Sequence, residues 1–314
     1  MTLALTQPIN YFLDQEKILN INEDILNSYK HQIDASENTK RTYIACINKF
    51  LSWIDEEQIE SVSYETLIQY KNNLRTMYKA RAINTHITAL KDLFKYLERN
   101  GFTNIAKDIK KERIDNNFTK DSLTIDQVKG IYNNIDISTL EGARANALFR
   151  LLVGTGLREC EIVRANIEDI RTNGDKNVLY VEGKGETAKT KYVILYPSVM
   201  QALQHYFKFR NNPKGNEPLF TSNSDRNNGG RLTTRTIQRI VKGLYRSNGI
   251  VSERITTHST RHTAITLSIL NGANVQQAQA MARHKDINTT MVYFHNIERL
   301  SNNAEERIES LFNN

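Results

Sequence analysis

The sequence is poor in cysteine and proline, and it contains no long apolar run. Its 314 residues include two cysteines, too few for a disulfide framework or a cysteine-rich metal cluster, and four prolines. No stretch approaches the roughly 20 apolar residues that a membrane helix requires, and the N-terminus has no signal-peptide pattern. We therefore expect a soluble, cytoplasmic protein that has no membrane partner.

Basic residues exceed acidic residues, and the excess is unevenly distributed along the chain. The formal net charge is +7. Residues 1–70 hold 5 basic and 11 acidic side chains, whereas residues 71–113 hold 11 and 4. The rest of the basic excess lies in residues 117–314. This distribution favours nucleic acid held between two lobes, but a solvated basic face would have the same composition.

The N-terminal third has the periodicity of helices. Two apolar stripes recur at helical spacing, and their members are Tyr43, Ile47, Phe50 and Ile54 in the first and Ile83, Ile87, Leu90, Phe94 and Leu97 in the second. Ser36 and Asn38 are candidate N-terminal caps of the first helix, and Gly101 marks the end of the second. Lys91, Lys95 and Arg99 form a basic ladder on another face of that helix. We predict a small helical bundle over residues 15–108.

A polar stretch at residues 110–117 separates this bundle from the rest of the chain, and we place a linker at 109–119. A second domain, 120–314, begins with a helix near Leu123–Asp126. Its strand signal is confined to Val178–Val181 and Tyr192–Leu195, joined by a glycine-containing turn, and helical patterns return from residue 233. The predicted fold is mainly α, with a mixed α+β second domain that contains a small antiparallel sheet.

Several residues of the second domain are weak candidates for a catalytic or ligand-binding site. Arg158 follows a glycine turn at the start of a helix, a position that suits a bound anion, and Glu161 can face its guanidinium. An ordinary surface ion pair would give the same pattern. Lys184 lies between two glycines in the predicted hairpin turn, where it could reach a ligand or simply be solvated.

His258, Arg261 and His262 fall on one helix face. The two imidazoles could bind a metal, but Arg261 would repel a cation and the spacing supplies no third ligand. Arginine and histidine on one face suit an anion such as phosphate better. His284 and Tyr293 would each, taken alone, be interpreted as packing residues.

The order of these residues resembles the tyrosine recombinase (phage integrase) family. The set consists of Arg158, Lys184, His258, Arg261, His284 and Tyr293, with 26 residues from the first to the second, 26 from His258 to His284 and 9 from there to the tyrosine. Asn38–Tyr43 and Ile83–Lys91 resemble the family's helical core-binding domain. The resemblance covers nearly the whole chain and matches the simple two-domain Xer and Cre type, with no room for an arm-binding domain before residue 15.

The resemblance implies a C-shaped DNA clamp made of a SAM-like core-binding domain and a catalytic domain. Tyr293 would be the nucleophile and form a 3′-phosphotyrosine, with Arg158 and Arg261 binding the phosphate oxygens. Lys184 would be the general acid, His258 would accept the phenol proton, and His284 would hydrogen-bond a phosphate oxygen. Glu161 would orient the Arg158 region, and His262 would be structural. No metal and no cofactor are implied.

The partners implied are double-stranded DNA with inverted-repeat sites, a homotetramer formed through an apolar C-terminal face (residues 308, 311 and 312), and accessory proteins. The expected activity is site-specific strand cutting and rejoining through a Holliday junction. Integration and excision, cointegrate resolution and replicon dimer resolution all use the same residues and stay open.

Two positions depart from the family pattern, because Arg283 replaces a usual glycine and Thr260 a usual leucine. The Asn-Pro that often precedes the linker is also missing, at Thr103–Ala106. Three alternatives remain, namely a DNA-binding regulator that no longer cuts, a metal-dependent nuclease that uses His258 and His262, and a type IB topoisomerase.

Overall fold

The computed structural model describes residues 13–14, 26–114, 121–183, 186, 188–301, 308–309 and 312. The chain divides into two compact units, Met1–Asn117 and Phe118–Asn314, each with its own hydrophobic core.

The first unit is a helical bundle with one short pair of strands. Strand β1 (Leu13–Asp14) pairs antiparallel with β2 (Ser61–Val62). The helices are α1 (26–32), α2 (Glu37–Glu56), α3 (Tyr64–Met77) and α4 (Ala80–Arg99). Helices α2 and α4 pack on each other through the two predicted stripes, whose members are buried except for the half-buried Tyr43. The predicted helical bundle is confirmed.

The start of α2 and the end of α4 agree with the capping residues predicted from the sequence, except at Asn38. Ser36 caps α2, since its hydroxyl accepts a hydrogen bond from the Thr39 backbone N–H. Asn38 was wrong as a cap because it lies inside the first turn of α2. Helix α4 ends before Gly101, whose φ of 87° is a left-handed conformation that glycine adopts without strain.

The segment after α4 is held on the first unit by a buried side chain and an ion-pair cluster. Ile109, inside the segment that we placed in the linker, is buried in this unit's core. The carboxylate of Glu112 lies 2.7 Å from both Lys71 and Arg75. The backbone N–H of Glu112 donates to Oδ1 of Asn84 at 2.6 Å. These contacts hold the chain against the first unit at least as far as residue 112.

The second unit surrounds one buried helix with shorter elements. The helices are α5 (Ile125–Asn134), α6 (Leu140–Thr155), α7 (Glu159–Arg164), α8 (Pro197–Lys208), α9 (Thr234–Ser247), α10 (Ser259–Leu270), α11 (Val275–Ala282) and α12 (Asn288–Ser301). Helix α6 packs on α8, α9 and α10. It carries buried residues on every side, as expected for a helix at the centre of a core.

The sheet of this unit has three antiparallel strands in the order β3 (Ile170–Asn173), β4 (Lys176–Val181) and β5 (Lys191–Ile194). The two strands expected from the sequence are confirmed within about two residues of each end. Strand β3 was not predicted because it is polar and exposed over most of its length. It pairs through its backbone, which leaves little pattern in the side chains.

Two further observations concern membrane and metal binding. Among the described helices, none combines the length and the apolar character needed to cross a membrane. Over the same part of the chain, no three His, Cys, Asp or Glu side chains cluster in a way that could hold a metal ion.

Glu112→Gln should destabilise the first unit by about 1–3 kcal/mol at pH 7, because the buried ammonium of Lys71 loses its carboxylate. Trp53, the chain's one tryptophan, is buried in this unit, so its fluorescence during urea unfolding reports on the unit. Lys71 and then Arg75 hold the pKa of Glu112 below its ordinary value. The stabilisation is therefore present above the unfolded-state pKa of about 4.3 and is lost as the pH falls through the lower folded value.

The matched control is Arg75→Gln, which removes the exposed partner of the same carboxylate and should cost less than about 1 kcal/mol. Equal losses in the two variants, or a gap between Glu112→Gln and wild type that does not narrow as the pH falls below 4, would contradict the assignment.

Candidate active site

Arg158 and Glu161 lie where helix α6 turns into α7. Gly156 has φ 62° and ends α6, and Arg158 occupies the N-cap position of α7. The Glu161 carboxylate accepts the backbone N–H of Arg158 at 2.7 Å and its Nη1 at 3.1 Å. The Glu161 side chain is 1% exposed and that of Arg158 is 25% exposed. A buried carboxylate thus holds a guanidinium that stays partly accessible.

Arg261 is buried between two helix ends. Its guanidinium donates to the carbonyl of Gly156, just past α6, and to the carbonyl of Ala282, the last residue of α11. A cation at a helix C-terminus satisfies carbonyls that lack a partner within the helix and opposes the negative end of the dipole. Burial, followed by the charges of Arg158 and Arg283, lowers the pKa of Arg261 to about 9. The side chain therefore remains protonated at neutral pH.

Arg283 follows α11 in a left-handed conformation, with φ 53°. Its Nη2 donates to the Glu161 carboxylate at 2.8 Å, and its Nη1 donates to the Met281 carbonyl at 2.8 Å. The side chain is 6% exposed. Glu161 therefore contacts two guanidiniums that lie 125 residues apart in the chain.

The site carries an excess of positive charge. Burial acts to raise the pKa of Glu161, but Arg283, the Arg158 backbone amide and the charges of Arg158 and Arg261 hold it below its ordinary value. Glu161 is therefore ionised at neutral pH and offsets one of three guanidiniums. The two uncompensated charges suit a ligand that brings negative charge, such as a phosphodiester.

His284 lies beside this cluster and is neutral at pH 7. Its Nδ1 is 2.8 Å from the hydroxyl of Thr290. Burial, together with the nearby charges of Arg261, Arg158 and Arg283, lowers its pKa to about 4. A neutral imidazole with one nitrogen held by a hydroxyl can offer the other nitrogen to a ligand.

Tyr293, on α12, is 5% exposed and packs on Ile265 and Ala282. Its hydroxyl contacts Nδ1 of His262, and the two ring centroids are 5.5 Å apart. The ring of His258 lies 5.3 Å from the ring of His262, so the three rings follow one another. Burial raises the pKa of Tyr293 to about 12, against the opposing effect of Arg261 and Arg158.

A cavity of about 390 Å³ opens beside the arginines. Its lining consists of Arg158, Glu161, Gly183, Glu186, Lys191, Arg283, His284, Lys285, Asp286 and Thr289. Most of these side chains are charged or polar, so the cavity suits an anionic group better than an apolar ligand. Lys184 lies outside the described residues, and the residue before it, Gly183, lines this cavity.

The structure brings together Arg158, Glu161, Arg261, His284 and Tyr293 in the second unit. His258 is exposed, and the ring of His262 lies between it and Tyr293.

The basic ladder belongs to the first unit. There Lys91 donates to the Lys107 carbonyl at 3.0 Å, and Lys95 and Arg99 are exposed on α4.

Two residues in contact with these groups were given no part in the recombinase chemistry that the resemblance implies. The sequence analysis placed His262 on one helix face with His258 and Arg261 but assigned it a structural role, because spacing within one helix does not show that Tyr293 contacts it. Arg283 was noted only as a departure from a glycine pattern. Its pairing with Glu161 joins α7 to the end of α11, and sequence spacing carries no information about such a contact.

The chain matches known families over most of its length. Residues 121–299 match the phage integrase family, and residues 25–101 match the phage integrase N-terminal SAM-like domain. Tyrosine recombinase XerA of Pyrococcus horikoshii is 28% identical over 276 residues, which are 87% of this chain and 89% of the relative. Tyrosine recombinase XerC of Chlamydia caviae is 29% identical over 307 residues, 90% and 96% of the two chains.

A crystal structure of the XerH site-specific recombinase bound to a palindromic difH substrate, a post-cleavage complex, has the same fold. It is 19% identical, with a TM-score of 0.71 over 93% of this chain and 85% of the other. The phage integrase match alone covers more than half of the 314 residues. The chain therefore belongs to the phage integrase family and is a tyrosine recombinase, an enzyme of site-specific DNA recombination.

Proposed function

We propose that the protein cuts and rejoins double-stranded DNA at specific sites, with Tyr293 as the nucleophile. One observation carries the proposal. The Tyr293 hydroxyl is buried against His262, and Arg158 and Arg261 are close enough to lower its pKa against the effect of burial. A phenol among cationic and imidazole groups suits attack on a phosphodiester. The substrate-bound state of the structurally similar XerH recombinase further supports a DNA substrate.

In the proposed cleavage step, the Tyr293 oxygen bonds to the scissile phosphorus as the bond to the 5′-oxygen breaks. The products are a 3′-phosphotyrosine and a 5′-hydroxyl. The reverse attack, by a 5′-hydroxyl from the partner site, releases the tyrosine and exchanges strands through a Holliday junction. The phosphotyrosine retains the energy of the phosphodiester bond, so the proposed reaction needs no ATP.

The arginines and His284 are proposed to stabilise the charge that develops on the phosphate. Arg158 and Arg261 would bind the non-bridging oxygens, and Glu161 would orient Arg158. The side chain of Arg261 is tied to two carbonyls, which supports a preorganised position. His284, neutral at pH 7, would hydrogen-bond a phosphate oxygen.

Two proton transfers complete the step. Lys184 is proposed to protonate the leaving 5′-oxygen, an assignment supported by the family pattern and by the place of Gly183 in the cavity wall. The phenol proton was expected to pass to His258. The contact between Tyr293 and His262 supports His262 as the first acceptor, with His258 behind it.

The proposal extends to assembly on DNA. The core-binding domain (15–108) and the catalytic domain (120–314), joined by a linker within residues 109–119, would both bind the DNA, with Lys91, Lys95 and Arg99 on its backbone. Ile308 and Phe312 are 57% and 77% exposed, which supports their packing on a second copy in a tetramer. Leu311, the third residue of that face, lies outside the described residues. We further propose that the DNA sites are inverted repeats, that accessory proteins take part and that the protein acts in the cytoplasm.

The wild-type protein should form a covalent adduct with DNA, and Tyr293→Phe should form none, because the phenylalanine lacks the attacking oxygen. The probe is a library of random 40-base-pair duplexes with a nick near the centre. Adducts that resist SDS are captured, sequenced and reselected until one duplex dominates. Tyr192→Phe, which changes an exposed tyrosine of the sheet, is the control and should match wild type.

The alternatives predict other outcomes of the same assay. A DNA-binding regulator would enrich a sequence without any adduct, and a metal-dependent nuclease would lose cleavage in EDTA. A type IB topoisomerase would form adducts without sequence preference and relax plasmid DNA. Each of these results would overturn the proposal.

His262→Ala should slow single-turnover cleavage of the selected duplex by about 10²- to 10⁴-fold at pH 7.5, because the phenol loses its proton acceptor. In this variant the phenol must ionise by itself, and burial raises its pKa to about 12. Cleavage should therefore keep rising by about tenfold per pH unit between pH 7 and 9. Wild type should level off in this range.

The control for this series is His295→Ala, an exposed histidine on the same helix as Tyr293, which should match wild type. A wild-type pH profile in His262→Ala would argue against the assignment.

DNA binding should weaken steeply with salt, because neutralised phosphates release counterions. Measured with Tyr293→Phe to prevent cleavage, log affinity against log salt should have a slope of about −6 to −9. The double change Lys95→Ala, Arg99→Ala should reduce that slope by about two. Lys91→Ala should reduce it less, because Lys91 already donates to a backbone carbonyl. A nearly flat plot of log affinity against log salt would contradict the proposed contacts with DNA phosphates.

A further inference from the structure

Arg283 occupies a backbone position that suits glycine. Its φ of 53° and ψ of 42° are left-handed, and side chains raise the free energy of that conformation. The residue directly precedes His284 and follows the last residue of α11. An arginine at such a position calls for a compensating contact of its side chain.

The compensating contacts are made in the interior of the active site. Nη2 donates to Glu161 Oε2 at 2.8 Å and Nη1 to the Met281 carbonyl at 2.8 Å, while Nε is buried without a hydrogen-bond partner among the described residues. The side chain is 6% exposed. The contact through Nη2 directs the guanidinium of Arg283 at the Glu161 carboxylate.

Glu161 connects Arg283 to Arg158. Oε1 of this carboxylate accepts Nη1 of Arg158, and Oε2 accepts both the Arg158 backbone N–H and Nη2 of Arg283. Without Arg283, Arg158 would be the one guanidinium bonded directly to Glu161 among the described residues, and Arg261 would act on the carboxylate from farther away. The positive charge of Arg158, which faces the cavity, would then be largely neutralised by Glu161 before a phosphate binds.

We propose that Arg283 is a positioning residue that acts through Glu161. It neutralises the buried carboxylate, so that Glu161 can hold Arg158 in place while the charge of Arg158 remains available to the scissile phosphate. This inference rests on the proposed strand-transfer function and adds a third guanidinium to it. Arg283 itself does not touch the DNA in this scheme.

The test uses the duplex that wild type selects in the covalent-capture assay. Arg283→Gly and Arg283→Asn both remove the guanidinium, and both residues tolerate a left-handed backbone, so they separate charge from conformational freedom. Each should cleave about 30-fold more slowly than wild type in a single turnover, with a Kd for DNA within about twofold. Arg283→Lys, which keeps the charge, should lose no more than about fivefold.

The decisive measurement is a double-mutant cycle with Glu161→Gln. Glutamine keeps an acceptor for Arg158 but has no charge to neutralise, so Glu161→Gln alone should cost about fivefold. The double variant Arg283→Gly, Glu161→Gln should then cleave about fivefold faster than Arg283→Gly alone. A role confined to capping α11 through the Met281 carbonyl would not depend on the charge at residue 161.

Three results would overturn the inference. They are wild-type cleavage in both Arg283→Gly and Arg283→Asn, losses in the double variant that multiply instead of compensating, and a loss of cleavage that follows a matching loss of DNA affinity. The absence of any adduct with the wild-type protein would instead refute the proposed function. The two failures are therefore distinguishable.

Discussion

The second unit depends on a buried cation that ties two helix ends together. Arg261 is 2% exposed, and its guanidinium donates to the carbonyls of Gly156 and Ala282. A charge taken out of water is costly unless its hydrogen bonds are satisfied and its surroundings favour its sign. Carbonyls at the ends of α6 and α11 meet both conditions. The same bonds draw the Arg158 turn and the residues after α11 to one place.

The concentration of cations around Arg261 shapes the chemistry of its neighbours. Three guanidiniums and one carboxylate leave two positive charges. Burial, together with the guanidinium charges, lowers the pKa of His284 and keeps it neutral, and the same charges keep Glu161 ionised. The site therefore combines charged groups, which suit phosphate binding, with the neutral imidazole of His284, which suits hydrogen bonding. Tyr293 experiences opposite influences, because burial protects its proton while Arg261 and Arg158 favour its loss. The balance of these effects keeps the phenol protonated at neutral pH in the free protein.

The first unit uses buried charge differently. Lys71 is buried, and Glu112 binds it from a segment that follows the last helix of the bundle. The ion pair attaches an otherwise polar stretch to α3, while Asn84 fixes the same stretch to α4. The polar composition of residues 110–117 suggested a free linker, because composition alone does not distinguish solvated charges from paired ones.

Elements with a strong pattern could be predicted, and those formed by long-range pairing could not. The helices α2 and α4 follow from apolar residues every three to four positions, and β4 and β5 follow from short runs of β-branched and aromatic residues. Strand β3 is polar and exposed over most of its length, so only its hydrogen bonds to β4 define it. The cap of α2 was predicted correctly at Ser36 and wrongly at Asn38, because adjacent polar residues compete for the same position.

The sequence by itself determined the order and spacing of the six residues that resemble the recombinase set, and the helical periods of α2 and α4. It also determined that Glu161 could reach Arg158, since residues three apart on a helix are neighbours. Only the tertiary structure decided that Glu161 also binds Arg283 and that His262 contacts Tyr293. Those contacts join different helices, and their distances depend on how the cores pack, which spacing along one chain does not specify.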